Sequence, residues 1–300
     1  MTSLRLHPHA KINLGLRVLG LRSDGYHELR TRFQTIDLTD ELELELAPAG
    51  LELEVEGSDL PADESNLVLR AARALRLERT GLPGVHIRLR KRIPMAAGLG
   101  GGSSDAAAAL LGLNRLWRLG LPLQELAQIG SQLGADVGFF LVGGSALGVG
   151  RGDEISALPD CAPFRIALIL PPLASPTARV YRLWDERRRR DEGAADAGAA
   201  GPVEADPSHE PSQASVWNDL EGLVLADHPE LRTYREILLQ AGAFAVALSG
   251  SGPSIYGLFS TRHEVRLLRS ARAWGPVQVL DCAPVRREEY WRRLGLPLSD

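Results

Sequence analysis

Residues 94–105 read Pro-Met-Ala-Ala-Gly-Leu-Gly-Gly-Gly-Ser-Ser-Asp, and an Ala- and Leu-rich helical run follows at once. Four glycines in five positions, two hydroxyls and a helix start describe a loop built to hold an anion. Glycine lets the backbone fold tightly and turn its N–H groups inward. The first turn of the helix adds unpaired N–H donors and the positive end of the helix dipole. A phosphate chain suits such a loop. A flexible surface turn is the plainer alternative.

Two familiar phosphate loops do not fit. A P-loop requires Gly-x-x-x-x-Gly-Lys-Ser/Thr, but Ser103 follows Gly102 directly and the loop has no lysine. A dinucleotide fingerprint requires Gly-x-Gly-x-x-Gly, and its last glycine, counted from Gly98, falls on Ser103. The loop is of a third kind.

The chain has 300 residues, which suits one large or two ordinary domains, and its 44% hydrophobic content is enough for real cores. A net charge of −4 gives no reason to expect nucleic acid or an anionic membrane as partner. Cys161 and Cys282 show neither metal-ligand spacing nor a disulfide framework and read as reduced thiols of a cytoplasmic protein. No signal peptide or spanning segment is expected: apolar runs such as Val137 to Val142 are too short. Of the 34 basic residues only Lys11 and Lys91 are lysine. A site needing a compact ammonium group is one reading of them, and accident is the other.

Along the chain, 10–18 alternate as a strand, with Ile12, Leu14, Leu16 and Val18 on one face and Lys11, Asn13, Gly15 and Arg17 on the other. Lys11 and Asn13 therefore project together, about 7 Å apart. Arg22 to His27 follow, with a turn at Asp24-Gly25. Leu42–Leu46 and Leu51–Val55 alternate apolar with Glu and read as a hairpin with one wet face. A helix is expected over 66–79, a strand over 85–89, and helices over 104–118 and 123–133. Gly134-Ala135-Asp136 breaks the last of these, and the glycine-rich 143–155 return as a strand.

A second unit starts near 163 with a strand over 164–170, then a helix opened by Ser175 as cap and Pro176 at the first position. Residues 187–215 have no period and read as a disordered insertion with a solvated four-arginine run. A helix over 229–240, strands over 244–248 and 255–259 joined by Gly250-Ser251-Gly252-Pro253, a helix over 262–273 and a strand near 277–280 complete the set. Without the extra helix the order is the split β-α-β of ferredoxin-like domains.

Three blocks together resemble the GHMP kinase superfamily: Ala10-Lys11-Ile12-Asn13-Leu14, then Pro94 to Ser104, then Leu248-Ser249-Gly250-Ser251-Gly252-Pro253. Arg22-Ser23-Asp24-Gly25-Tyr26-His27, Gly134-Ala135-Asp136-Val137 and the triple glycine before Ser103-Ser104 narrow the likeness. They resemble the branch that phosphorylates the 2-hydroxyl of a cytidine diphosphate ester of methylerythritol in non-mevalonate isoprenoid synthesis.

The resemblance implies an α+β, two-domain GHMP kinase fold. Residues 1–160 would form the ATP-binding domain, with a ribosomal-protein-S5-like topology, and residues 161–300 the ferredoxin-like domain. It implies Lys11 and Asp136 as the catalytic pair. It places Pro94, Met95, Ala96, Ala97, Gly98, Leu99, Gly100, Gly101, Gly102, Ser103 and Ser104 on ATP, with Asn66, Lys91 and Asn114 around the adenine. Asn13, Tyr26, His27, Thr177, Tyr181, Gly250, Ser251 and Gly252 fall on the side of the alcohol substrate. ATP and Mg²⁺ are implied as cofactors. No dense carboxylate cluster marks a metal site, so Mg²⁺ would arrive with ATP, with Ser104 a possible contact. A monomer or weak homodimer is expected. Gly138 stands where the family often has proline, which would loosen the turn carrying Asp136.

The chemistry suits these residue types. Phosphoryl transfer needs alignment and compensation of negative charge. Ser103 and Ser104 can cap the helix, touch phosphate or hold Mg²⁺ through water. A carboxylate such as Asp136 can take the proton of an alcohol as transfer proceeds, and Lys11 can orient it and stabilise developing alkoxide charge. From spacing alone Asp136 could equally be a helix cap. Tyr26 offers a flat face for a pyrimidine, and His27 a donor or acceptor for its edge; both could instead be turn aromatics packed on the core. Gly250 to Gly252 form a tight hairpin near phosphates or acceptor, or a purely structural one.

Another small-molecule kinase of the superfamily, of the homoserine or mevalonate type, would have no use for Asp24-Gly25-Tyr26-His27. A non-catalytic ATP sensor of the same fold would not need both Lys11 and Asp136. A dehydrogenase fails on the broken fingerprint.

Overall fold

The computed structural model describes residues 2–77, 79–193, 211, 215–262 and 277–296. Its strands are β1 (Ser3–Leu6), β2 (His9–Leu21), β3 (His27–Thr39), β4 (Glu41–Ala47), β5 (Leu51–Glu56), β6 (Gly84–Arg90), β7 (Ser145–Gly150), β8 (Glu154–Ala157), β9 (Arg165–Leu170), β10 (Trp217–Asn218), β11 (Ala245–Leu248), β12 (Ile255–Phe259) and β13 (Gln278–Cys282). Its helices are α1 (Leu67–Arg76), α2 (Gly101–Leu116), α3 (Leu123–Leu133), α4 (Val137–Phe140), α5 (Thr177–Gly193), α6 (Glu221–Asp227), α7 (Leu231–Gln240) and α8 (Arg287–Leu294).

Three sheets organise the chain, with strand orders β1-β4-β6-β5, β10-β2-β3-β7-β8 and β11-β12-β9-β13. The third has every neighbour antiparallel. With α5 crossing after its first strand, it is the expected ferredoxin-like arrangement. The long ladder of β2 on β3 slips register beside His9/Lys11, Asn13/Gly15 and Val18/Gly20. These irregularities bend the sheet on both sides of Lys11 and Asn13. Helix α2 is buried over most of its length because Ala106 to Ala109 let it lie close to its neighbours. The halves interlock: β10 pairs in parallel with β2, and on α8 Tyr290 donates to the Phe140 carbonyl and Trp291 Nε1 to that of Val142 at 3.2 Å.

Several expectations need correction. The segments 42–46 and 51–55 do not pair as a hairpin. β6 lies between them, antiparallel to β4 and parallel to β5. Alternation predicts a half-wet strand but not its neighbour. Helix α2 starts at Gly101, not Ser104, on a left-handed Gly100. Ser175 does not cap α5, which begins at Thr177; its hydroxyl instead donates to the Ser251 carbonyl at 2.7 Å. The insertion read as disordered is in part helix, since α5 runs through the four arginines to Gly193. Residues 194–210 and 212–214, and the helix expected over 262–273 from residue 263 onward, lie outside the described residues. Gly138 sits within α4, where an added Cβ would lie 3.3 Å from the Asp153 carbonyl oxygen. Among the described residues, no helix is long and apolar enough to cross a membrane.

Candidate active site

Both glycine blocks and the strand that carries Lys11 meet around one cavity of about 420 Å³. The backbone of β2 is fastened to the first block: Lys11 N–H donates to the Leu99 carbonyl at 3.0 Å. The second block is fastened to it as well, through Ser249 Oγ donating to the Gly98 carbonyl at 2.9 Å. Gly98 must be glycine here, with φ +75° and Ser249 against its α-carbon. No side chain caps α2. The N–H groups of its first turn, Gly101 to Ser103, therefore keep the anion-binding character expected of them, and these residues line the cavity.

Lys11 is buried. Its Nζ donates to Asn13 Oδ1 at 2.6 Å and lies 3.4 Å from Asp136 Oδ2. Asn13 is held in turn, donating from Nδ2 to Thr31 Oγ1 at 2.7 Å while its carbonyl accepts from the Tyr256 hydroxyl at 2.7 Å. This chain of contacts fixes one ammonium beside one carboxylate. Asp136 precedes α4 without making a cap bond, so the helix-cap reading of that residue fails. Gly134, with its extended backbone, ends α3, and Asp136 two residues on lines the cavity together with Lys11.

Two turns and one helix meet around Arg151, Thr177 and Tyr181 of the cavity wall. Tyr26, on the β2–β3 turn, is 57% exposed. The Arg151 guanidinium from the β7–β8 turn covers one face of its ring at 5.0 Å. His27 is turned to α5: Nε2 meets Asp185 Oδ1 at 2.8 Å, and its ring stacks on Tyr181 at 4.7 Å. Burial and the charge of Asp136 push the Tyr181 hydroxyl well above its usual range, so it stays protonated. Thr177 Oγ1 meets Ser251 Oγ at 2.8 Å, joining α5 to the second glycine block.

Lys91 lines the cavity from within a buried cluster of acids. Its buried ammonium sits between Asp40 and Asp105, at 2.7 Å from Asp105. Burial alone would lower its pKa, but the two carboxylates reverse this and raise it. Asp40 also accepts from Ile93 N–H at 2.8 Å. The triad thus ties the strand end entering the first glycine block to the helix turn leaving it.

Of the expected site residues, Lys11, Asn13, Lys91, Pro94, Met95, Ala96, Ala97, Gly98, Leu99, Gly100, Gly101, Gly102, Ser103, Asp136, Thr177, Tyr181, Gly250 and Ser251 line the cavity. Asn66, Ser104, Asn114, Tyr26, His27 and Gly252 are not on its wall. Asn66 caps α1, accepting from Val68 N–H at 3.0 Å and donating to the Pro61 carbonyl at 2.8 Å. Asn114 stands apart from the cavity wall. It lies about 20 Å along α2 from Gly101, with both ends of its amide bonded to Leu121. It clamps a loop. Gly252 backs onto Leu248. Ser104 is buried, and its Oγ has no hydrogen-bond partner. Sequence reasoning missed Arg151, Asp40 and Asp105. Asp105 closes the glycine block itself, whereas Arg151 is one arginine among many, and only its flanking Gly150 and Gly152 set it apart.

Two family models match, described as "GHMP kinases N terminal domain" over residues 66–144 and "GHMP kinases C terminal" over 212–277. A homoserine kinase structure from Cytophaga hutchinsonii shares the fold at 19% identity, with TM-score 0.73 over 97% of this chain and 96% of that one. Fold and cavity thus define a GHMP kinase, an ATP-dependent small-molecule kinase. The 4-diphosphocytidyl-2-C-methyl-D-erythritol kinase of Moorella thermoacetica is 42% identical over 90% of this chain and 95% of its own. That of Solibacter usitatus is 43% identical over 95% and 90%. A crystal structure of 4-(cytidine 5'-diphospho)-2C-methyl-D-erythritol kinase superimposes with TM-score 0.76 at 36% identity, over 94% of this chain and 99% of that one. The chain belongs to the 4-diphosphocytidyl-2-C-methyl-D-erythritol kinase family.

Proposed function

We propose that the chain transfers the γ-phosphoryl group of ATP to the 2-hydroxyl of 4-diphosphocytidyl-2-C-methyl-D-erythritol, a step of non-mevalonate isoprenoid precursor synthesis. The observation that carries this reading is the 3.4 Å approach of Lys11 Nζ to Asp136 Oδ2 on the wall that also holds the glycine block. The names of the relatives point to the same acceptor.

In this reading the N–H groups of Gly98 to Ser103 hold the β- and γ-phosphates, and the adenine lies against Leu60, Leu67 and Met95. Asp136 receives the proton of the 2-hydroxyl, its oxygen bonds to the γ-phosphorus, and ADP leaves. Lys11, oriented by Asn13, steadies the carboxylate and the developing negative charge. Tyr26 and His27 take the cytosine, with Thr177, Tyr181 and Gly250 to Gly252 along the rest of the acceptor.

Among the described residues there is no group of three or more His, Cys, Asp or Glu that could hold a metal. In this reading Mg²⁺ would be carried in on the nucleotide. Ser103 on the wall, with Ser104 and its orphaned Oγ buried beside it, would hold it through water, and the ion would neutralise phosphate charge. We further propose that the chain divides near residue 160 into ATP-binding and substrate-side units, with β10 and α8 packed back on the first.

The test is ADP formation by the purified chain with the cytidyl substrate, mevalonate and homoserine in parallel. Turnover with the first alone is expected. Turnover only with mevalonate or homoserine would refute the assignment.

A further inference from the structure

The cavity must neutralise two phosphate chains if the acceptor is a nucleoside diphosphate ester. The glycine block and the first turn of α2 serve one of them. The basic residues on the wall are Lys11, Lys91 and Arg151. Lys11 is engaged by Asn13 and Asp136, and Lys91 is enclosed by Asp40 and Asp105. Arg151 is placed differently. Gly150 (φ +67°) and Gly152 (φ +88°) flank it on the β7–β8 turn. Its Nε donates to Asp153 Oδ2 at 3.0 Å and its Nη2 to the same oxygen at 2.5 Å, which anchors one edge of the guanidinium. The ring of Tyr26 supports its flat face. Nη1 has no bonding partner among the described residues. Nη2 also reaches the Ser131 carbonyl at 3.4 Å, so a guanidinium held by one edge and one face keeps Nη1 ready for an anionic oxygen at little entropic cost.

We infer that Arg151 binds the diphosphate of the acceptor, making the site selective for a nucleoside diphosphate ester over an uncharged or singly phosphorylated alcohol. The inference rests on the acceptor side proposed above. Base and diphosphate then meet adjacent groups: the base lies on the open face of Tyr26, and the diphosphate reaches the guanidinium behind the ring. Asp24 and Asp153 are the carboxylates nearest Arg151. They hold it charged but leave the Nη1 edge uncovered.

The full chain and its Arg151→Met and Arg151→Lys variants should be titrated calorimetrically with cytidine, CMP and CDP, with thermal melts run on all three proteins. The wild type should bind CDP more tightly than cytidine. Arg151→Met should reduce that gain by at least about tenfold while changing cytidine binding little, since a hydrogen bond to a charged group is of that order. Arg151→Lys should recover part of the gain. Equal weakening of all three ligands would make Arg151 a mere prop for Tyr26 and overturn the inference. So would an unchanged preference for CDP in Arg151→Met. If the wild type bound none of the three, the acceptor assignment itself would fall, and this inference with it.

Discussion

Gly98 and Ser249 lie in contact although 151 positions separate them: a Cβ on Gly98 would stand 2.0 Å from the Ser249 carbonyl oxygen, and the Ser249 hydroxyl donates back to the Gly98 carbonyl. The phosphate-binding loop and the second glycine turn are therefore one packed unit. Gly98→Ala must push them apart and also hold alanine at φ +75°. Strain of this kind costs about 1–3 kcal/mol before any overlap is counted. Gly98→Ala should melt well below the wild type and lose at least about tenfold in ATP affinity by calorimetry. The control is Gly102→Ala: a Cβ there meets nothing closer than Leu67 Cδ1 at 3.5 Å. It lies in a helix, where alanine is favoured over glycine by about 1 kcal/mol, so its stability should hold or rise. A Gly98→Ala protein that melts with the wild type would show that the two turns are not in contact.

Asp136→Asn keeps the shape of the side chain but removes the proton acceptor beside Lys11. General-base catalysis accounts for about 10²–10⁴-fold in rate, so kcat should fall by that range while ATP affinity stays close to normal. Steady-state kinetics with the cytidyl substrate and ATP titration separate the two effects. Unchanged turnover would remove Asp136 from the base role.

The buried triad makes an asymmetric prediction. Lys91→Met leaves Asp40 and Asp105 facing each other without a cation, and breaking a buried pair this way costs about 3–5 kcal/mol. The two acids should not be equivalent. Burial and the charge of Asp40 push the Asp105 carboxyl up despite the pull of Lys91, so asparagine there resembles the protonated acid. Asp40 also accepts backbone N–H bonds from Arg92 and Ile93. Urea unfolding should rank the losses Lys91→Met and Asp40→Asn well above Asp105→Asn. A larger loss for Asp105→Asn than for Asp40→Asn would contradict this ordering.

The parts of the site legible in the sequence were those fixed by local chemistry. Glycines with a following helix mark an anion loop wherever they occur, and a two-residue period puts Lys11 and Asn13 on one side of a strand. What escaped depended on partners distant in sequence. Nothing between residues 42 and 55 reveals that β6, about thirty residues later, will lie between two strands that look like a hairpin. Arg151 gains meaning only when the β7–β8 turn arrives beside Tyr26. Asn114 carries an amide that could serve a base or a loop, and only its position along α2 decides between them. Lys91 stood out by its rarity alone, and the acids that enclose it come from residues 40 and 105, too far away in sequence to be foreseen.

His9 gives the fold a measurable weakness to acid. Its ring is buried beside Tyr290, with ring centres 5.3 Å apart, and Nε2 has no hydrogen-bond partner. Burial lowers its pKa to about 4 from an ordinary 6.5; the bond from Nδ1 to the His7 carbonyl opposes this, and the charge of Arg293 adds to it. The unfolded chain therefore takes up a proton at this residue at higher pH than the folded chain does. The stability tied to neutral His9 is complete above pH 6.5 and is lost as the pH falls toward about 4. The full difference corresponds to about 3 kcal/mol, of which about 2 should be gone at pH 5. His9→Phe keeps a ring against Tyr290 but cannot take the proton. Urea unfolding at pH 8 and pH 5 should show the wild type losing about 2 kcal/mol more than His9→Phe between the two. Equal losses would mean that His9 is already charged, or freely hydrated, in the folded protein.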